Sequence, residues 1–290
     1  MVNKTKLGLA LSIALAVAGN AGGVMAEGKS KAKNEDQHGN GAAACKQVAT
    51  ALATTTGGIH AALKTALTAA VTAEGSGLNL NMWATLVNRD GVVCAVAFSG
   101  ANRNSQWPGS RAISAQKANT ANAFSLDTLA LSTANLYSAV QPGGSLFGLQ
   151  ESNPVATDVV YQGPVASFGK KNDPMVGERP GGVNVFGGGL GLYNADHKLI
   201  GGIGVSGDTS CADHNIAWRV RNTLELDNLA GVGGVGPALT HADGIVFDIE
   251  TGVSGGGFGH PTCIKSDNVN AVATNGDSQA YAATLPAVDH

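Results

Sequence analysis

Apolar positions recur along this chain with two periods, and the change from one to the other marks out its elements. Ile59, Leu63, Leu67, Ala70 and Val71 fall on a helical repeat that Glu74-Gly75-Ser76-Gly77 ends, which predicts an amphipathic helix with one buried face. Residues 83–87 and 92–96 are apolar runs flanking Asn88-Arg89-Asp90-Gly91. Asp-Gly supplies the positive φ of a tight turn, so a hairpin is expected over 83–98. Beyond Pro108 and Gly109, Ser110 is placed to cap a helix over 111–124. Ser125 and Ser132 read as caps of two shorter helical pieces that stop at Gln141-Pro142-Gly143-Gly144.

Residues 145–180 carry Pro154, Pro164, Pro174 and Pro180 and no sustained period, so they read as a long loop of the kind that is functional or disordered. A second hairpin follows, 183–193 against 199–205 across Asn194-Ala195-Asp196-His197-Lys198. Ile216, Val220, Thr223 and Leu224 then predict a helix over 212–228. The last sixty residues are glycine-rich, with one expected strand at 245–249, and are too short to bury a core of their own. Hairpins alternating with helices imply an α+β fold in which a central antiparallel sheet is flanked by helices and a Gly-rich C-terminal extension packs back on it.

The N-terminus has a different pattern. Lys4 and Lys6 precede an apolar run over 7–18, and Val24-Met25-Ala26 suits a signal peptidase, so residues 1–26 are expected to be a signal peptide. The run falls short of the ~20 residues a bilayer span requires. Residues 27–58 are expected to form a flexible segment, 59–230 the domain, and 231–290 the extension. Without Lys4 and Lys6 the net charge moves from −3 to −5, because residues 1–26 hold no acid. No basic patch points to nucleic acid or an anionic membrane. An exported location, periplasmic or secreted, and a small-molecule partner are expected instead.

Composition narrows the chemistry. The chain has 290 residues, 41 of them glycine, with 13% charged, but no three-residue glycine period, which excludes collagen. Cys45, Cys94, Cys211 and Cys263 form no Cys-x-x-Cys pair, so zinc-ribbon and thioredoxin-type motifs are absent. An even count in an oxidising compartment favours two disulfides, for which three pairings are open. Gly202-Ile203-Gly204-Val205-Ser206-Gly207 fits the dinucleotide fingerprint, but no second parallel strand with a terminal acid follows. Ser206 lacks the nucleophile-elbow pattern because Asp208 stands where glycine is required, so Ser206 and Asp208 are expected to cap the following helix. Asp213 and His214 are adjacent on a helix and point apart. The seven histidines show no metal-ligand spacing, yet a single imidazole suffices for haem iron.

Four motifs in order carry a resemblance: the run 115–121 with Phe124, the loop 142–148, Pro180-Gly181-Gly182-Val183, and 200–207 followed by Asp213-His214 and Ala217. Together they resemble the GlcG/HbpS family of haem-binding proteins over residues 59–230. The resemblance implies a profilin-like α+β domain, frequent oligomers and haem as the cofactor. For exported relatives it implies a non-catalytic role in sensing, storing or detoxifying haem. His214 is the first candidate for the iron, followed by His60 and Tyr161. Lys117 and Arg111 are candidates for a propionate, and Gly143, Gly144, Phe147, Gly204, Ser206 and Asp213 for the pocket lining. The motif 257–263 together with Cys211 looks like an exported subgroup, which pairs Cys211 with Cys263 and leaves Cys45 with Cys94. The alternative is an enzyme acting on a small oxygenated or anionic metabolite at the same turn, with Lys117, Ser206 and Asp213 as polar participants.

Overall fold

The computed structural model describes residues 43–52, 57–235, 242–263 and 284–289; the expected signal peptide and most of the segment after it lie outside them. Four strands form one antiparallel sheet in the order β2-β1-β4-β3: β1 Trp83–Asn88, β2 Val93–Phe98, β3 Gly189–Tyr193 and β4 Leu199–Ser206. Each hairpin is closed by an asparagine. Asn88 Oδ1 accepts from the Asp90 and Val92 amides, and Asn194 Oδ1 accepts from those of Asp196 and Lys198. Gly91 takes the left-handed φ of +73° that the Asp-Gly turn demands.

The sheet is covered on both sides by different means. Leu86, Leu190, Leu192, Ile203 and Val205 join α2 (Gly58–Ala73) and α5 (Ser210–Thr223) in the main core, where Leu63, Leu67, Ile216 and Val220 meet them. Full burial of each such side chain is worth roughly 1.5–3 kcal/mol. On the other face Trp83, Val87, Val93 and Val96 of β1 and β2 pack with Ala112, Ala115 and Ala118, whereas the β3–β4 part is bare: Gly189, Gly202 and Gly204 lie under α3 (Ser110–Phe124). A Cβ on Gly204 would stand 1.9 Å from the Ser114 carbonyl oxygen, and one on Gly202 would stand 2.3 Å from that of Ala118. Because nothing protrudes from those glycines, α3 can press its small face of Ser114, Ala115, Ala118 and Ala121 close against β4. Thr85 Oγ1 and Ser114 Oγ share a hydrogen bond of 2.7 Å across that seam.

Several expectations differ from the observed elements. The segment read as flexible up to residue 58 contains α1 (Lys46–Ala51), and Cys45, Val48 and Leu52 are core residues; three apolar side chains at helical spacing and a disulfide hold it there. β3 starts at Gly189 rather than at residue 183, since Val183 and Val185 bury with Leu136 and Val140 instead of pairing. α5 ends at Thr223: Glu225 is left-handed at φ +56°, and the chain turns so that the Leu226 carbonyl accepts from Tyr193 N–H. Ser125 and Ser132 cap no α-helix; only a 3-10 turn, Ser138–Val140, forms there. A four-residue helix α4, Thr157–Val160, interrupts the long loop. The strand expected at 245–249 is reduced to β5, Ile249–Glu250, paired with β6, Val253–Ser254.

The extension is fastened to the domain. Disulfides join Cys45 to Cys94 and Cys211 to Cys263. Arg221 and Asp243 form a fully buried ion pair, and Trp218 Nε1 donates to the Pro286 carbonyl at 3.0 Å. Among the described residues, no helix is long and apolar enough to cross a membrane.

Candidate functional site

Three of the expected haem residues meet at one end of the sheet, around the loop that follows α4. His60 lies in the first turn of α2, half-buried, with Nε2 3.0 Å from the Gly169 carbonyl. A carbonyl only accepts, so Nε2 carries the proton and the lone pair of the neutral ring is on Nδ1. One turn along the same helix face, Lys64 donates to the Phe98 carbonyl at 2.5 Å, and its Nζ lies 4.6 Å from the Phe98 ring centre. Partial burial pushes the Lys64 pKa below its ordinary value.

Arg111 is at the same end but does not face solvent. It forms a bidentate pair with Asp173, donates to the Val160 carbonyl and stacks on Phe168, 3.7 Å from its ring centre. Asp173 also accepts from the amides of Gly169 and Met175. Arg111 therefore fixes the loop whose carbonyl holds His60, and the propionate contact expected of it is ruled out by its sealed pairing. Tyr161, next to Val160, is 63% exposed, and Trp107 and Val165 are half exposed. Sequence reasoning missed Lys64, Phe98, Gly169 and Asp173. Lys64, four residues after His60 on an expected helix, was open to discovery; the other three become neighbours only through the tertiary fold.

The remaining candidates lie elsewhere. Lys117 is fully buried, bonded to Asp213 at 2.7 Å and to the Val205 carbonyl at 3.1 Å. It too is unavailable to a propionate. Burial outweighs the pairing for both groups, pushing Asp213 up to about 6 and Lys117 down. Asp213 Oδ1 also accepts from the Asp208 amide, so this pair ties α3 to β4 and to the turn before α5. Ser206 is buried in β4 opposite Trp83, and Gly204 is covered by α3; neither lines an open pocket. The cap of α5 is Thr209, whose side chain accepts from Ala212, whereas Asp208 accepts from Leu78, Leu80 and Thr209 amides and clamps the entry to β1. Gly143 and Phe147 are exposed on a surface loop and Gly144 is half-buried against Ala139.

His214 is sealed. It is 1% exposed, and neither ring nitrogen has a hydrogen-bond partner among the described residues. Burial, with a smaller push from Arg221, His260 and Lys117 and an opposing pull from Asp243, takes its pKa down to about 3. Cys211, His260 and Cys263 place their ligand-type atoms within 4.8 Å of one another, but the disulfide occupies both sulfurs. A surface cavity of about 710 Å³ lies between α1 and the 194–196 turn, away from all these residues.

The architecture is that of an α+β domain with an antiparallel sheet sandwiched between helices. Residues 59–221, more than half of the chain, match the family described as haem degrading protein HbpS-like, and the chain belongs to that HbpS-like family. The curated proteins give no match. Similar solved structures include a PduOC–haem complex, with 23% identity over 56% of this chain and 88% of that chain and a TM-score of 0.38. Another is the Klebsiella pneumoniae protein ORFY, of the family DUF336, with 25% identity over 57% and 89% and a TM-score of 0.38.

Proposed function

We propose that this protein is an exported haem-binding protein that holds haem at the end of the sheet between α2 and the 161–173 loop, with His60 as the iron ligand. The observation that carries this reading is the half-buried His60 ring, oriented by the carbonyl of Gly169, which packs on Phe98, and set one helical turn before Lys64. Haem asks for an unprotonated imidazole nitrogen, apolar faces and a cation for its propionates, and these residues fit it. Nδ1 of His60 offers the lone pair, Phe98 and Phe168 offer aromatic surface, and Lys64 offers the charge that Lys117 and Arg111, sealed in ion pairs, do not. Asp173 and Arg111 act one layer out by fixing Gly169 and hence the ring's tautomer. Haem supplies a redox-active iron; the chain's part is to hold it and limit access to it, in a sensing, storage or detoxifying role. Export is supported by residues 1–26 and by two disulfides, which persist in oxidising compartments.

Titration of the mature protein with hemin, followed at the Soret band, tests this. A saturable shift is expected, lost or spectrally altered in His60→Ala and weakened in Lys64→Ala. Absence of a saturable shift defeats haem binding. His214 carries a second reading, because both its nitrogens lack partners in a buried site. A spectrum unchanged in His60→Ala and altered in His214→Ala would move the iron there.

A further inference from the structure

The extension brings a histidine to the start of α5 in an arrangement the haem reading does not use. His260 Nδ1 lies 2.7 Å from the Pro261 carbonyl and Nε2 lies 2.7 Å from Ser210 Oγ. A carbonyl only accepts, so Nδ1 bears the proton, Nε2 is the acceptor, and the Ser210 hydroxyl donates to it. Ser210 Oγ in turn accepts from the Gly187 amide at 2.6 Å. Each hydrogen in this chain has one direction, and together they describe a hydroxyl whose proton is already aimed at a base. We propose that Ser210 and His260 form a nucleophile–base dyad for acyl transfer from small uncharged esters, separate from the haem site.

Three further features support it. Ser210 is the first residue of the fourteen-residue α5, so charge developing on or near its oxygen meets the positive end of the helix. Ser210 is only half-buried, unlike Ser206. His260 is held by the Cys211–Cys263 disulfide, which starts one residue after Ser210 and ends three residues after His260, and by the Tyr137 ring at 5.1 Å. Burial lowers the His260 pKa, so the imidazole is neutral and ready to accept a proton at pH 7. The half-exposed Phe186, next to Gly187, gives the approach an apolar wall suited to an uncharged acyl group.

The step balances without a cofactor. Ser210 Oγ attacks the ester carbonyl carbon as its proton passes to His260 Nε2. The carbon–oxygen bond to the leaving alcohol breaks, and that alcohol takes the proton from Nε2, leaving an acyl-Ser210. Water then attacks, giving one proton to Nε2 and releasing the carboxylic acid as the proton returns to Ser210.

The test is covalent labelling of the full mature protein with a fluorophosphonate, the site being read by peptide mass spectrometry, alongside hydrolysis of p-nitrophenyl acetate. One adduct is expected, on Ser210, and none in Ser210→Ala. His260→Gln keeps a hydrogen bond to Ser210 but cannot take its proton, so labelling should slow by roughly 100-fold, the lower end of what a general base contributes. A folded wild-type protein with no adduct on Ser210 overturns the proposal, as does an unchanged labelling rate in His260→Gln. Hemin titration of the same samples is independent of either result.

Discussion

Gly204→Ala tests whether the glycine face of the sheet exists to admit α3. The new methyl carbon would lie 1.9 Å from the Ser114 carbonyl oxygen, 2.5 Å from the Ala118 nitrogen and 3.0 Å from Lys117 Cβ. The first two are backbone atoms in the middle of a helix, so no rotamer change relieves the overlap. Relief requires α3 to retreat from β4 by more than an ångström, which loosens the contacts of Ala115 and Ala118 and stretches the Thr85–Ser114 and Lys117–Val205 bonds. Overpacking a core costs about 1–3 kcal/mol and occasionally more; with backbone on both sides, about 3 kcal/mol or above is expected. For a chain of this size that is a fall in Tm of roughly 6–12 °C. Gly109→Ala is the matched control, since nothing lies within 4 Å of its Cβ position and its φ of −64° suits any residue. It should be neutral or gain up to about 1 kcal/mol through the unfolded chain. Urea unfolding of both variants at one pH measures the difference. A Gly204→Ala stability within about 0.5 kcal/mol of wild type would refute the close-approach argument.

Two further predictions concern the buried histidine and the first disulfide. His214 titrates near 6.5 when unfolded and is pushed down to about 3 by burial, so its contribution is intact above pH 6.5 and is lost as pH falls toward 3, about 4–5 kcal/mol in all. His260, also lowered by burial, adds to the same acid slope. Urea unfolding between pH 7.5 and 4 should show a shallower pH dependence in His214→Leu, and an unchanged slope counts against a neutral buried ring. Replacing Cys45 and Cys94 by serine frees a loop spanning 49 positions, worth about 4 kcal/mol on the chain-entropy account. Denaturant melts should show that loss; a change below about 1 kcal/mol would mean that α1 is held by Val48 and Leu52 without the staple.

The hairpins and the helices at 58–73 and 110–124 were legible because their signals are local: Asp-Gly at 90–91, an apolar stripe from Ile59, and Pro108-Gly109 before Ser110. The glycines of β4 were legible as a motif but not as a surface, since only the register of the sheet puts Gly202 and Gly204 on the side of α3. Charge was the least readable property. Arg111 and Lys117 look available for an anion in a sequence of low charge, yet Asp173 and Asp213, 62 and 96 residues away, consume them. His214 beside Asp213 in sequence is likewise uninformative, because neighbours on a helix point about 100° apart. His60 carried a weaker sequence signal than His214 and is the more accessible of the two, since accessibility is set by packing and not by motif.

The same packing argues where any ligand must go. Every residue of β1, β3 and β4 is buried, one face under α2 and α5 and the other under α3 at near-contact distance. A planar group the size of haem cannot enter between such layers without separating them, and overlaps of backbone on backbone make that separation expensive. Among the described residues, the places where such a group need not separate the layers are the ends of the sheet, where helix starts and loops meet. One end gathers the first turn of α2, the first turn of α3 and the loop pinned by Asp173, with His60, Lys64 and three aromatic side chains, Trp83, Phe98 and Phe168. At the same end, beyond β4 and β3, the start of α5 gathers Ser210, Gly187 and the stapled extension with His260. A fold whose layers are closed by glycine contact thus gathers this chemistry at one end of the sheet, and haem binding can fail beside His60 without removing the Ser210 hydroxyl at the start of α5.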